Sequence, residues 1–296
     1  MFVANPPQKK PFLVGRTNNV PTFNRVNVYM PAIRPAHLKK QVSDLAGKFN
    51  QPSQFVRELH TLLDLYSDHT HRPGQSGEPS PLMGAYNTPA PVIRQVWHAL
   101  MPLIQRHPAE VLPLCDALWA EPNFDLKLLA ARLLGQVPVH PPDLVIDRLQ
   151  SWVPQLVEKR VLDGLCEFGL LRLQQDAPGK LLELISSWLA SPDLSTQRAG
   201  LRALLPIINH SGAGSLPSIF RLLTPYLRLA PSRLRPDIRT VLTALAHTSP
   251  SETAYILRQN LSAPNNPDTP WLIRQVLDEF PEETQAGLRA AMKATG

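Results

Sequence analysis

Cysteine is nearly absent from this chain: Cys115 and Cys166 are the only two among 296 residues. Both lie in apolar, helix-patterned stretches, so neither a disulfide framework nor a zinc site is available. A reducing, cytoplasmic setting is the expectation. No run of apolar residues is long enough for a membrane span. The opening MFVANPPQKKPFLVG has no continuous apolar core, so a secretory leader is not expected either. The 14 glycines are scattered, and Gly212-Ala213-Gly214 lacks the strand-then-helix context of a phosphate-binding loop. His69 and His71, with Asp64 and Asp68, form a small cluster without fixed metal-ligand geometry. His210, Ser211 and Ser215 make no nucleophile arrangement. No metal and no cofactor is therefore expected, and a small-molecule enzyme is the least favoured class. Alternating strand patterns are missing as well.

Proline is abundant, with 32 residues. Many recur just before or just inside helical patterns, as at Pro89, Pro91, Pro108, Pro178, Pro192 and Pro270. Proline is tolerated in the first turn of a helix because the N–H it lacks has no partner there. The composition therefore describes many short helices with tight connections. Residues 1–35 differ: they are proline-rich without helical periodicity and read as an extended basic arm. Its apolar residues, among them Phe2, Phe12 and Phe23, allow it to dock. Residues 36–296 form the helical body.

Within that body, Leu38, Val42, Leu45 and Phe49 fall at helical spacing, as do Phe55, Leu59, Leu62 and Leu63. A Gly/Pro/Ser-rich loop follows. Thr88 is a candidate N-cap for the next helix, and Pro102 should kink it. Further helices are predicted over 108–120, 123–136, 141–153, 154–174, 178–190, 192–209, 215–229, 234–247, 250–261, 268–280 and 282–294. Consecutive pairs recur at roughly 35–45 residues, the range of HEAT and armadillo units. The expected fold is all-α, a superhelical solenoid in which each helix pair buries its apolar face on its neighbours.

Charge is uneven. The net +6 arises at the N-terminus, where residues 1–43 hold seven basic residues and no acid. A second bias runs from Arg198 to Arg239, with seven arginines against Asp237 alone. Such clustering attracts a polyanion such as a DNA backbone.

Three blocks carry a resemblance. They are ALWAEPNFDLKLLAARLLGQ (117–136), VLDGL (161–165) and SSWLASPDLSTQRAGLRALL (186–205). Their order and spacing resemble the AlkD-type family of HEAT-like DNA alkylpurine glycosylases, over about residues 100–270. The resemblance implies double-stranded DNA as partner. It also implies a concave face that uses an aspartate, an arginine and two tryptophans to hold a lesion without flipping it into a pocket. Asp163 falls on the family's catalytic aspartate, which stabilises the cationic sugar as an alkylated base departs. Arg198 falls on the arginine that grips the adjacent phosphate. Arg202, Arg235, Arg239, Lys159 and Arg160 join it as candidate DNA-binding residues.

The chain departs from the pattern at both tryptophans. It reads Glu158-Lys159-Arg160 in one place and Arg239-Thr240-Val241 in the other. Base excision is accordingly expected to be weak or lost. The alternative is a protein–protein scaffold, since a solenoid's fold does not choose its ligand.

Overall fold

The computed structural model describes residues 34–67, 83–138, 140–156, 158–210 and 215–295. The N-terminal arm, apart from its last two residues, lies outside them. So do Asp68, His69, His71 and Ser211 with the Gly212-Ala213-Gly214 stretch. Among the described residues the chain is all-α, with no strand beyond an isolated bridge between Gly84 and Asn123.

The helices are α1 (Pro35–Ala46), α2 (Pro52–Leu65), α3 (Ala90–Arg106), α4 (Pro108–Ala120) and α5 (Phe124–Leu134). Then come α6 (Asp143–Trp152), α7 (Lys159–Gly164), α8 (Leu171–Asp176), α9 (Pro178–Leu189) and α10 (Leu194–His210). The C-terminal part holds α11 (Leu216–Arg228), α12 (Arg235–Thr248), α13 (Pro250–Leu261), α14 (Thr269–Val276) and α15 (Glu282–Thr295). Proline occupies the first turn of α1, α2, α3, α4, α9, α11, α12, α13 and α14. Pro102 lies inside α3, which continues through it. Thr88 does not cap that helix: Pro89 precedes it, and the buried Thr88 hydroxyl has no hydrogen-bond partner among the described residues.

The helix predicted over 154–174 is divided. Pro154 sits in a 3-10 turn (Val153–Gln155), Leu156 is extended, and the helix restarts at Lys159 behind Glu158, whose carboxylate accepts the Arg160 N–H at 3.3 Å. A π-turn (Leu165–Gly169) then separates α7 from α8. Such single-turn bulges re-aim the side chains that follow them.

Two layers result. One contains α1, α3, α5, α7–α8, α10, α12 and α14, and the other α2, α4, α6, α9, α11, α13 and α15. Side-chain bonds tie each unit to the next at a recurring interval. Arg148 pairs with Asp116 at 2.8 Å, 32 residues away. The Arg228 side chain reaches Asn260, also 32 away, and Arg235 reaches Asp268, 33 away. The Tyr226 hydroxyl donates to the Leu189 carbonyl 37 residues back. This interval is the repeat of the solenoid, looser than a motif and carried by contacts between neighbouring units.

Between α5 and α7 the first layer closes tightly. A Cβ at Gly135 would lie 1.7 Å from the Phe168 carbonyl oxygen, and one at Gly164 would lie 2.4 Å from a Leu128 methyl. Only glycine admits that approach. Clefts are left on either side of this seam, between α3 and α5 and between α7–α8 and α10.

Candidate nucleic-acid interface

Asp163 is the last but one residue of α7, just ahead of the π-turn. With Glu167, Gln174, Arg202, Asn209 and His210 it lines a cleft of about 320 Å³ between α7–α8 and α10. Among the described residues no Phe, Tyr or Trp lines that cleft. Lys159 and Arg160 do not pair with Asp163. Its partner is Arg202 of α10, with Nη1 3.3 Å from Oδ1.

Arg202 in turn donates through Nε to Oδ1 of Asp237 at 2.7 Å. The other Asp237 oxygen accepts Nε of Arg198 at 3.0 Å, and Arg198 Nη2 reaches the Arg233 carbonyl at 3.3 Å. Asp163, Arg202, Asp237 and Arg198 thus form one chain of charge across three consecutive helices of the layer. Its interior is dry: the Asp237 side chain is 6% exposed and that of Arg202 11%. Its ends are wet: Asp163 is 41% and Arg198 37% exposed. Arg202, with carboxylates on two sides, directs its charge into the protein. Arg198 keeps donors toward solvent, because Asp237 and the Arg233 carbonyl do not use all five of its N–H groups.

Arg235 is also held between repeats. Nη2 donates to Asp268 at 2.8 Å, and the guanidinium lies 4.6 Å from the centre of the Trp271 ring. Arg160 is exposed but rests over Phe124, 5.0 Å from its ring centre. Lys159 and Arg239 are exposed and have no ion-pair partner among the described residues.

Asp237 stood in the sequence only as the one acid among seven arginines. Its role was traceable from the interval between units, since Arg202 precedes it by 35 residues and Arg235 precedes Asp268 by 33. Cys166 borders the same cleft, and burial, with Asp163 nearby, pushes its thiol far above the usual range.

The tryptophans account for little of the surface. Trp119 and Trp152 stack face to face, 4.2 Å between centres, and both are buried, as is Trp188. Trp271 lies beneath Arg235. Trp97 is half-buried and lines the second cleft, between α3 and α5, with Arg94, Asp125, Leu128 and Arg132. Burial raises the carboxyl pKa of Asp125, opposed by the Tyr86 N–H it accepts and by nearby Arg160.

On the other layer an apolar groove of about 720 Å³ runs between α11 and α13, with Phe220, Ile256 and the exposed Tyr255 on its walls. Among the described residues no helix is long and apolar enough to cross a membrane, and no cluster of three potential metal ligands occurs.

A solved structure described as the TSC2 N-terminus is 15% identical, over 87% of this chain and 78% of that one, at a TM-score of 0.36. No curated protein matches the chain. A family model described as "DNA alkylation repair enzyme" matches residues 82–266, which is more than half of the sequence and spans α3 to α13. The chain belongs to the DNA alkylation repair enzyme family.

Proposed function

We propose that this protein binds double-stranded DNA along its first helical layer and that its base-excision chemistry is weak or lost. The observation that carries the second part is the Arg202 guanidinium shared between Asp163 and Asp237. A carboxylate stabilises a departing base's cationic sugar only insofar as its charge is uncompensated. Here a cation already sits at 3.3 Å and is anchored by a buried second carboxylate, so it does not move aside cheaply. Among the described residues no Phe, Tyr or Trp in the cleft replaces the missing family tryptophans.

Binding is supported by family membership and by cations left available on this layer. In this reading Lys159, Arg160, Arg198 and Arg239, together with Arg94, meet phosphates, while Arg202 and Arg235 brace the repeats that present them. The working compartment is a reducing one, in keeping with two free buried cysteines.

Fluorescence anisotropy with a labelled duplex tests the proposal. Five phosphate contacts predict a log–log salt slope of about −4 to −5. Absence of salt-sensitive binding refutes it. Release of 3- or 7-methylpurine should stay near the uncatalysed rate, for the parent and for Asp163→Asn alike. Robust release that Asp163→Asn abolishes would overturn the second part.

A scaffold role is the other reading, favoured by the open apolar groove between α11 and α13. It predicts a stoichiometric protein partner whose capture survives nuclease and is lost in Tyr255→Asp.

A further inference from the structure

Trp97 lines a cleft, with no ring or cation stacked on it among the described residues. The cleft, about 320 Å³ between α3 and α5, brings together three kinds of recognition. The indole offers a flat apolar face, with Ile93 and Leu128 also on the walls. Arg94 is exposed and unpaired among the described residues, and Arg132 contributes a second guanidinium. Nε of Arg132 is buried without an acceptor in the described protein, although its guanidinium lies over the Phe168 ring. A buried donor without an acceptor is costly, and its satisfaction by a ligand recovers that cost. Asp125 adds an acceptor: Oδ2 takes the Tyr86 N–H at 2.7 Å, while Oδ1 has no donor among the described residues.

A planar π-face, two cations and one open carboxylate oxygen match one ligand class. It is planar and aromatic, carries an anionic group, and has an N–H to donate. We propose that this cleft is a nucleotide subsite, taking one unpaired nucleotide of a bound DNA strand. Its base lies against Trp97, its phosphate on Arg94 and Arg132, and a base amine donates to Asp125. Base–indole stacking with arginine support holds unpaired bases without strict sequence preference. The location fits a strand tracking the layer. Leu128 forms one wall of the cleft and also packs over Gly164, beside Asp163. Arg160, one turn earlier on α7, covers Phe124, the neighbour of Asp125. The inference rests on the DNA-binding reading and adds to it a second contact region, one repeat N-terminal to Asp163.

The test uses the full chain with fluorescein-labelled duplexes, either fully paired or bearing one bulged nucleotide. The parent should prefer the bulged duplex. Trp97→Ala should lower affinity for it about 5- to 100-fold, the range for one base–aromatic stack, and Trp97→Phe should retain most of it. Arg94→Ala, at an exposed position that leaves the fold intact, should reduce the salt slope by about one. If Trp97→Ala and Arg94→Ala bind both duplexes as the parent does, the subsite is refuted and Arg94 is no phosphate contact, while DNA binding through Lys159, Arg160, Arg198 and Arg239 stands. If the parent binds neither duplex, the DNA-binding reading has failed. Addition of dGMP then decides the cleft: a fluorescence quench lost in Trp97→Phe and weakened in Arg94→Ala supports it as a nucleotide site, and no quench overturns it.

Discussion

Replacing Asp237 by alanine removes a buried carboxylate shared by two arginines, and its cost can be worked from the geometry. Both Asp237 oxygens accept charged donors, at 2.7 Å from Arg202 and 3.0 Å from Arg198. Removing one partner of a fully buried pair costs about 3–5 kcal/mol, because the other charge stays desolvated. That figure needs reducing here. Arg198 is 37% exposed and rehydrates readily, whereas Arg202, 11% exposed, keeps only Asp163. A loss of about 2–3 kcal/mol is expected, which for a helical body of this size lowers the melting midpoint by about 4–6 °C. Urea unfolding followed by circular dichroism gives the value, read as a shift in midpoint at constant slope. The double variant Asp237→Ala/Arg202→Met removes the stranded guanidinium too. It should lose less than the sum of the single changes, by about 1–2 kcal/mol. A loss below about 0.5 kcal/mol in Asp237→Ala, the level of an ordinary surface change, would refute the view that this network ties the repeats together.

Gly135→Ala should be more damaging than its size suggests. Its Cβ would fall 1.7 Å from the Phe168 carbonyl oxygen, so α5 and the π-turn must separate, and overpacking costs about 1–3 kcal/mol or more in a urea titration. Asp193, just ahead of α10, accepts the Thr196 N–H and hydroxyl at 2.8 and 2.7 Å, and these bonds hold its carboxyl below the usual range. A depressed folded value means that the cap stabilises above the unfolded carboxylate pKa of about 3.9 and is lost as pH falls through the folded one. Asp193→Ala should therefore cost about 1 kcal/mol at neutral pH and show a flatter loss of melting temperature on acidification below about pH 4. Burial pushes both Cys115 and Cys166 far up, so a thiol reagent should label neither in the native protein and both in denaturant. Rapid labelling of native Cys166 would show that its cleft opens.

Much of the fold was legible because it depends on local rules. Apolar spacing and first-turn prolines placed the helices, since both act within one turn of chain. The break at 154–158 is not legible in the apolar spacing, although Pro154 lies there. A proline can start a helix or end one, and here the extended Leu156 and the Glu158 cap decide it. The π-turn left no trace in the pattern, because inserting one residue in a turn leaves an apolar stretch apolar. Thr88 looked like a cap, but Pro89 follows it, and the helix begins one residue later.

The candidate site divides in the same way. Asp163, Arg198 and the arginine run could be named from the sequence, because block order and residue type are properties of the chain. How those charges are used could not. Whether an arginine faces phosphate or a carboxylate depends on what the next repeat places opposite it, some 35 residues away. Only packing decided that Arg202 and Arg235 pair between repeats, that Asp163 shares its charge with Arg202, and that Trp97 lines a cleft while Trp119 and Trp152 cover each other. By itself the sequence determined a stack of helix pairs and the basic residues it carries. The tertiary structure decided which of those charges remain for a ligand, because pairing and desolvation are set by neighbours that the chain brings together only when it folds.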